Sequence, residues 1–254
     1  MQIAIVVYPG MTALDAIGPY EVLRFVPGSE LRFVWHEPGP ITTDSGVLVL
    51  GATHSLDETP APDVVLVPGS GPATATTAAD QRLLEWLRQV HATSVWTTSV
   101  CTGSIILGSA GLLDGRAATT HWSLQQGLAA LGAQPQRDAR IVHDGKIVTA
   151  AGVSAGIDLG LWLAGQIAGA RTAQAIQLAI EYDPQPPYDS GRWGTASSAV
   201  KREAAALFAR EAKKLAVREP GRVAREAAAV PQVLWRSALR RARGGRRRRL
   251  RARG

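Results

Sequence analysis

A single cysteine among 254 residues excludes an internal disulfide, which suits a reducing compartment. No apolar run approaches the roughly 18 residues that a membrane span requires. The N-terminus shows no basic segment leading into an apolar stretch and a small-residue cleavage site. A cytoplasmic protein is therefore the expectation. His36, His54, His91, His121 and His143 have no ligand spacing between them, so no metal site is expected. Around Gly69-Ser70-Gly71 neither the P-loop nor the dinucleotide pattern is complete, which removes the reason to expect a nucleotide.

Basic charge is scarce through most of the chain and dense at its end. Residues 1–191 hold 9 Lys+Arg against 17 Asp+Glu, a net of −8, and residues 192–254 hold 19 against 4, a net of +15. The division predicts a domain over 1–191 and an Ala/Arg-rich, basic, helical and disordered extension over 192–254. The charge of that extension offers salt-sensitive, nonspecific contact with nucleic acid or an anionic surface. It lacks the turn and apolar spacing of a helix-turn-helix, so a sequence-specific reader is not expected. Deleting 192–254 is expected to leave turnover intact.

Strand and helix patterns alternate over the first part. Ile3 to Tyr8 is continuously apolar, as a central parallel strand covered on both faces should be. The next helix is expected to restart at Pro19, leaving Asp15 in the segment between strand and helix, where doubly wound sheets put site residues. Leu31–Trp35, Gly46–Leu50 and Asp63–Val67 read as strands, with Gly39-Pro40 as a turn and Pro68-Gly69-Ser70-Gly71-Pro72 as a loop at the sheet's carboxyl edge. Asp80 is a plausible N-cap for a helix carrying Leu83, Leu84, Leu87 and Val90 on one face. Asp144-Gly145 between two apolar runs marks a hairpin. A long apolar helix follows to about Ala168, with Asp158 expected to bind backbone N–H groups of its first turn. Arg171 to Tyr182 makes one more helix. In the extension, Val200, Ala204, Leu207, Phe208 and Leu215 fit a helical stripe, and Pro231 is expected to break the next helix, Arg222–Arg243. Gly244-Gly245 and Arg246–Arg249 read as a flexible, solvated end. The fold class is α/β, a mostly parallel sheet sandwiched between helices, plus the basic helical extension.

The chain is organised around Ser94 to Leu107, a β-rich run that ends at Cys101 and passes straight into an apolar helical pattern. Strand, sharp turn and helix form a nucleophile elbow, which lifts the central side chain off the sheet and turns the helix's first N–H groups toward it. Such a site favours thiolate, making Cys101 the candidate nucleophile; a buried cysteine serving as a small hydrophobe is the bland alternative.

Tyr8-Pro9-Gly10, Leu14-Asp15-Ala16-Ile17-Gly18-Pro19, Val67-Pro68-Gly69, Ser99-Val100-Cys101-Thr102-Gly103, Thr119-Thr120-His121-Trp122 and Thr149 to Asp158 together resemble the ThiJ/PfpI superfamily, with its class I glutamine amidotransferase-like fold. Within it the resemblance is to the isonitrile hydratases. It implies a homodimer acting on a small-molecule substrate, with Cys101 as nucleophile and Asp15 as its acid/base partner. Thr102 stands where many protease-like relatives have histidine, which argues against a Cys-His-Glu triad and makes Thr102 a third catalytic candidate.

Hydrating an isonitrile to an N-substituted formamide needs a proton delivered and a carbon captured, and no cofactor. A protonated Asp15 could do the first and the Cys101 sulfur the second. Backbone N–H groups of Gly69, Ser70, Gly71 and Thr102 are candidates to hold developing negative charge. Ser70 occupies a position where the family usually has a second glycine, so a positive φ there would be strained. His121, the histidine at a plausible sheet edge, is a substrate-binding candidate beside its reading as a hydrogen-bonded structural residue. Two other functions fit the same residues: a glyoxalase-like enzyme on reactive carbonyls, and a ligand-sensing, transcription-regulator-like domain without turnover.

Overall fold

The apolar runs form the strands that their composition predicts, and helices fill the intervals between them. In order these are Gln2–Val6 (β1), Ala13–Leu23 (α1), Glu30–Trp35 (β2), Gly39–Thr42 (β3), Val49–Ala52 (β4), His54–Ser55 (β5) and Val64–Val67 (β6). Thr74–Ala78 (α2), Gln81–Thr93 (α3), Trp96–Val100 (β7), Gly103–Ala110 (α4), Ala117–Ala118 (β8), Gln125–Ala130 (α5) and Gln134–Pro135 (β9) follow. Ile141–Asp144 (β10), Ile147–Ala150 (β11), Ala155–Ala168 (α6), Ala170–Ala179 (α7), Ser198–Arg218 (α8) and Pro220–Arg251 (α9) complete the chain. The structure, a computed structural model, describes the backbone of residues 1–251 and the side chains of residues 1–244.

The main sheet runs β10-β11-β7-β6-β1-β2-β5. Every pairing in it is parallel except β10 with β11. Ile3, Ala4, Ile5 and Val6 of β1 and all of β6 are fully buried, as central strands covered on both faces must be. α1, α6 and α7 pack together on one side, while α2, α3, α4 and α5 form a second group that α9 joins. The fold class is thus the one the alternating pattern predicts.

Several local expectations need correction. α1 begins at Ala13 and carries Pro19 inside it, so Asp15 lies in the first helical turn rather than in a preceding loop. Proline there removes one backbone bond, and tertiary packing holds the helix instead: α1 crosses α6 at Gly156 and Gly160, whose missing side chains leave room for Pro19 and Val22. The hairpin β3–β4 takes Gly39-Pro40 into a strand and begins its second strand at Val49 rather than Gly46. The Asp144-Gly145 hairpin forms as its turn chemistry predicts, with Gly145 at φ +64°. α9 continues through Pro231, because that part of the helix is docked on the domain: Ala229, Val233 and Ser237 are buried. The run Arg246–Arg249 lies within its last turns, and the solvation expected of those side chains falls outside the described residues.

Two of the extension's arginines serve this docking. Arg240 donates to the Gly108 and Ser109 carbonyls at 2.9 and 2.8 Å, and Arg241 to Ala130 O at 2.9 Å. Cations thereby satisfy the orphan carbonyls at the C-terminal ends of α4 and α5.

Candidate active site

Cys101 follows β7 directly and precedes α4. Its φ is +57°, the left-handed region that a side chain other than glycine seldom adopts and that stores on the order of 1–3 kcal/mol. Its surroundings fix it. The Cys101 N–H donates to Ala150 O and Ala151 O at 3.1 and 2.7 Å. Its carbonyl accepts the Thr120 and Ser104 hydroxyls at 3.0 and 3.3 Å. At Gly103 an added Cβ would lie 2.1 Å from Val67 O, so the first turn of α4 approaches the end of β6 as only glycine allows.

Asp15 is fully buried and accepts the Gly69 N–H at 2.8 Å on Oδ2. Its Oδ1 has no partner in good hydrogen-bond geometry among the described residues, and the Cys101 thiol is within interaction reach of the carboxyl. Gly69 lies between the two: a Cβ there would meet Thr102 N at 2.4 Å and Cys101 Cβ at 2.9 Å. The pair that the elbow and the first loop were expected to assemble is thus together.

The loop after β6 is locked from both sides. Thr102 Oγ1 accepts the Ser70 N–H and donates to Ser70 O, both at 2.8 Å, and lies 2.9 Å from Thr74 Oγ1. Ser70 Oγ donates to Gly10 O at 2.5 Å and accepts the Ala73 N–H at 2.9 Å. Two sequence expectations change here. The Gly69 and Ser70 N–H groups are already committed to Asp15 and Thr102, so they are not free donors for a developing anion. The Thr102 hydroxyl is likewise committed to the loop, which makes Thr102 a positioning residue through its side chain. Ser70 keeps a negative φ, so the strain feared there is absent. Gly71 is exposed at the loop's outer edge.

Burial dominates the electrostatics. It raises the Asp15 carboxyl to about 7, with the Gly69 N–H and the thiol pulling back and Asp44 adding to the rise. Burial also pushes the Cys101 thiol well up, and the Asp15 charge adds to that shift. The nearby N–H groups of Thr102 and Val153 pull the other way, without restoring an ordinary value. The helix end therefore does not deliver a resting thiolate, contrary to the sequence expectation. Desolvation outweighs it, since Cys101 is only 5% exposed.

Val153 is a site residue that the sequence reading missed. Its segment, Gly152 to Gly156, was legible as part of a family motif and as a helix opening, but neither gave Val153 a role, because a backbone donor leaves no side-chain signature. His121 comes close through its neighbours: Thr120 holds the elbow carbonyl, and a Cβ on Gly152 would fall 2.6 Å from His121 Cδ2. Its Nδ1 pairs with Ser123 Oγ at 2.8 Å, and burial lowers its pKa. Asp158 does not bind its own helix turn. It pairs with Arg140 and accepts the Tyr182 hydroxyl at 2.8 Å, partners that the sequence pattern does not reveal. Among the described residues, no group of three or more His, Cys, Asp or Glu could hold a metal. No described helix is long and apolar enough to cross a membrane.

Two surface clefts lie away from this pair. One of about 430 Å³ runs between α1, α6 and α7 and is lined by Leu14, Ile17, Phe25, Ile157 and Tyr182. The other, about 340 Å³, lies where Arg225 and Gln232 of α9 face Thr76 and Asp80.

Residues 1–166 match the model of the DJ-1/PfpI family. The chain is 44% identical over 204 residues to the isonitrile hydratase of Pseudomonas putida, covering 80% of this chain and 88% of that protein. It is 31% identical over 184 residues to the HTH-type transcriptional regulator CdhR of Pseudomonas aeruginosa, covering 70% of this chain and 52% of the regulator. A solved ThiJ/PfpI family protein from Pseudomonas syringae superposes with a TM-score of 0.78 at 37% identity, over 89% of this chain and 90% of that one.

Proposed function

The chain belongs to the DJ-1/PfpI family, and on that footing we propose that it is a hydro-lyase that converts isonitriles to N-substituted formamides, using Cys101 as nucleophile and Asp15 as the group that moves the protons. One observation carries the mechanism: a carboxyl titrating at about 7 interacts with a thiol whose own ionisation is suppressed. Between those two values the pair holds a single proton.

In the first half, the Asp15 carboxylate takes the thiol proton, the sulfur bonds to the terminal carbon of R–N≡C, and Asp15 passes the proton to that carbon. The product is a thioimidate, R–N=CH–S–Cys101. In the second, water adds to the same carbon while Asp15 takes one of its protons and hands it to the nitrogen. Collapse of R–NH–CH(OH)–S–Cys101 breaks the C–S bond, and the hydroxyl proton returns to the sulfur. R–NH–CHO leaves, and one water has been consumed. The Thr102 and Val153 N–H groups hold the sulfur while it is anionic, both as nucleophile and as leaving group. No step calls on a metal or a nucleotide.

The identity to the Pseudomonas putida enzyme supports this substrate class over reactive carbonyls. The homodimer that the resemblance implies would cover the cleft beside Leu14 and Phe25, both well exposed in the single chain. The test is to incubate purified protein with cyclohexyl isocyanide and, separately, with methylglyoxal, each against Cys101→Ala. Formamide made by the wild type alone supports the proposal. Conversion of the glyoxal alone replaces the substrate, and turnover of neither replaces the enzyme with a sensor.

A further inference from the structure

Cys101 and Asp15 are 5% and 0% exposed, so the opening through which a substrate meets the thiol is narrow and what borders it matters. The two helices of the extension are attached very differently. α9 is anchored by its buried residues and by the arginines that hold the ends of α4 and α5. Every residue of α8, by contrast, is partly or fully exposed. Besides packing along α9, it meets the domain through an aromatic cluster: Phe208 lies 5.6 Å from the His121 ring and 5.7 Å from Trp122, and Trp193, just before α8, stacks on Trp122 at 4.5 Å. α8 is bounded by Pro220-Gly221 at one end and by the Gly191 to Gly194 stretch at the other. An element with few buried apolar contacts opens at low cost.

We propose that α8 is a movable wall of the Cys101 site, with Phe208 closing the site against His121 and its withdrawal admitting the substrate. The link to the sulfur is short. His121 follows Thr120, which holds the Cys101 carbonyl, and its ring lies on Gly152, next in the chain to Val153. The wall that α8 presents is aromatic, so flat, apolar R groups fit it when it closes. The extension is then part of the working site, not the dispensable tail that charge and composition suggest. The inference rests on Cys101 as the reacting group, and its test is independent of which substrate that group attacks.

Because the chain has one cysteine, alkylation by iodoacetamide, followed by intact mass, reads access to Cys101 without background. In the full chain, Phe208→Ala should raise the alkylation rate about fivefold to tenfold, the shift in an opening equilibrium that one lost aromatic contact produces. The gain should hold at every pH with the titration midpoint unmoved, and Trp193→Ala should act in the same direction. Leu207→Ala, at the neighbouring and similarly exposed position outside the aromatic cluster, should leave the rate unchanged. An unchanged rate in both aromatic variants, a rate altered only through a shifted midpoint, or an equal gain in Leu207→Ala overturns the proposal. Absence of isonitrile turnover in the wild type would remove the proposed substrate and leave this result standing.

Discussion

Asp15 and Cys101 hold each other in opposite states: burial, with the Asp15 charge adding to it, keeps the thiol protonated, while the nearby thiol steadies the carboxylate. Gly69 makes the pairing possible, since any side chain there would collide with Thr102 and Cys101. Neither group is in its ordinary ionisation range, and that shared displacement suits proton transfer near neutral pH.

The first consequence is a pH dependence of known sign. Below about 7 the Asp15 carboxyl is protonated and cannot accept the thiol proton. kcat/KM should therefore rise with pH through about 7 and then level off, and Asp15→Asn should abolish this limb while lowering the rate by about 10² to 10⁴. Steady-state kinetics across pH in both proteins checks it. A limb that persists in Asp15→Asn assigns the titration elsewhere.

Stability should respond as well. The Asp15 carboxyl is raised from 3.8 to about 7 in the fold, so the unfolded chain releases this proton first as pH rises. The stabilisation is complete below the unfolded value and is lost through the folded one. Asp15→Asn should thus match the wild type near pH 4 and exceed it near pH 8, by a few kcal/mol and on the order of 4 at most. Urea melts at the two pH values measure the crossover. A variant less stable than wild type at the higher pH contradicts the burial argument.

Thr102 offers a separate prediction, because its hydroxyl both donates to and accepts from Ser70. Thr102→Val leaves the buried Ser70 N–H without its partner, while the Ser70 carbonyl keeps the Thr74 hydroxyl, at a cost of about 1–3 kcal/mol, and should lower activity by loosening the loop that carries Gly69. Thr102→Ser keeps the hydroxyl and should restore both stability and rate. Failure of serine to rescue would assign the threonine methyl, not the hydroxyl, the positioning role.

The sheet was legible because β1 and β6 are uninterrupted aliphatic runs, and Cys101 because strand, turn and helix meet at it. Asp15 was legible as a site residue through its family motif but was misplaced locally. Pro19 signals a helix start by propensity, whereas the α1–α6 crossing over Gly156 and Gly160 lets the helix begin a turn and a half earlier. The direction of the thiol's shift was not legible: a helix N-terminus can be read from sequence, but the desolvation that outweighs it depends on burial. The loop's N–H groups looked free because their acceptors, Asp15 and the Thr102 hydroxyl, come from distant segments. Arg240 and Arg241 looked solvated for the same reason, their carbonyl partners lying more than a hundred residues away in the chain.

The central claim is a covalent sulfur–carbon intermediate, and intact-mass measurement of enzyme quenched in acid during turnover of cyclohexyl isocyanide tests it most directly. The account predicts an added mass equal to one isonitrile, mapped to Cys101 by peptide analysis and accumulating further in Asp15→Asn if water addition becomes the slower half. Steady formamide production with no adduct at any quench time, and at an undiminished rate in Cys101→Ala, would contradict it.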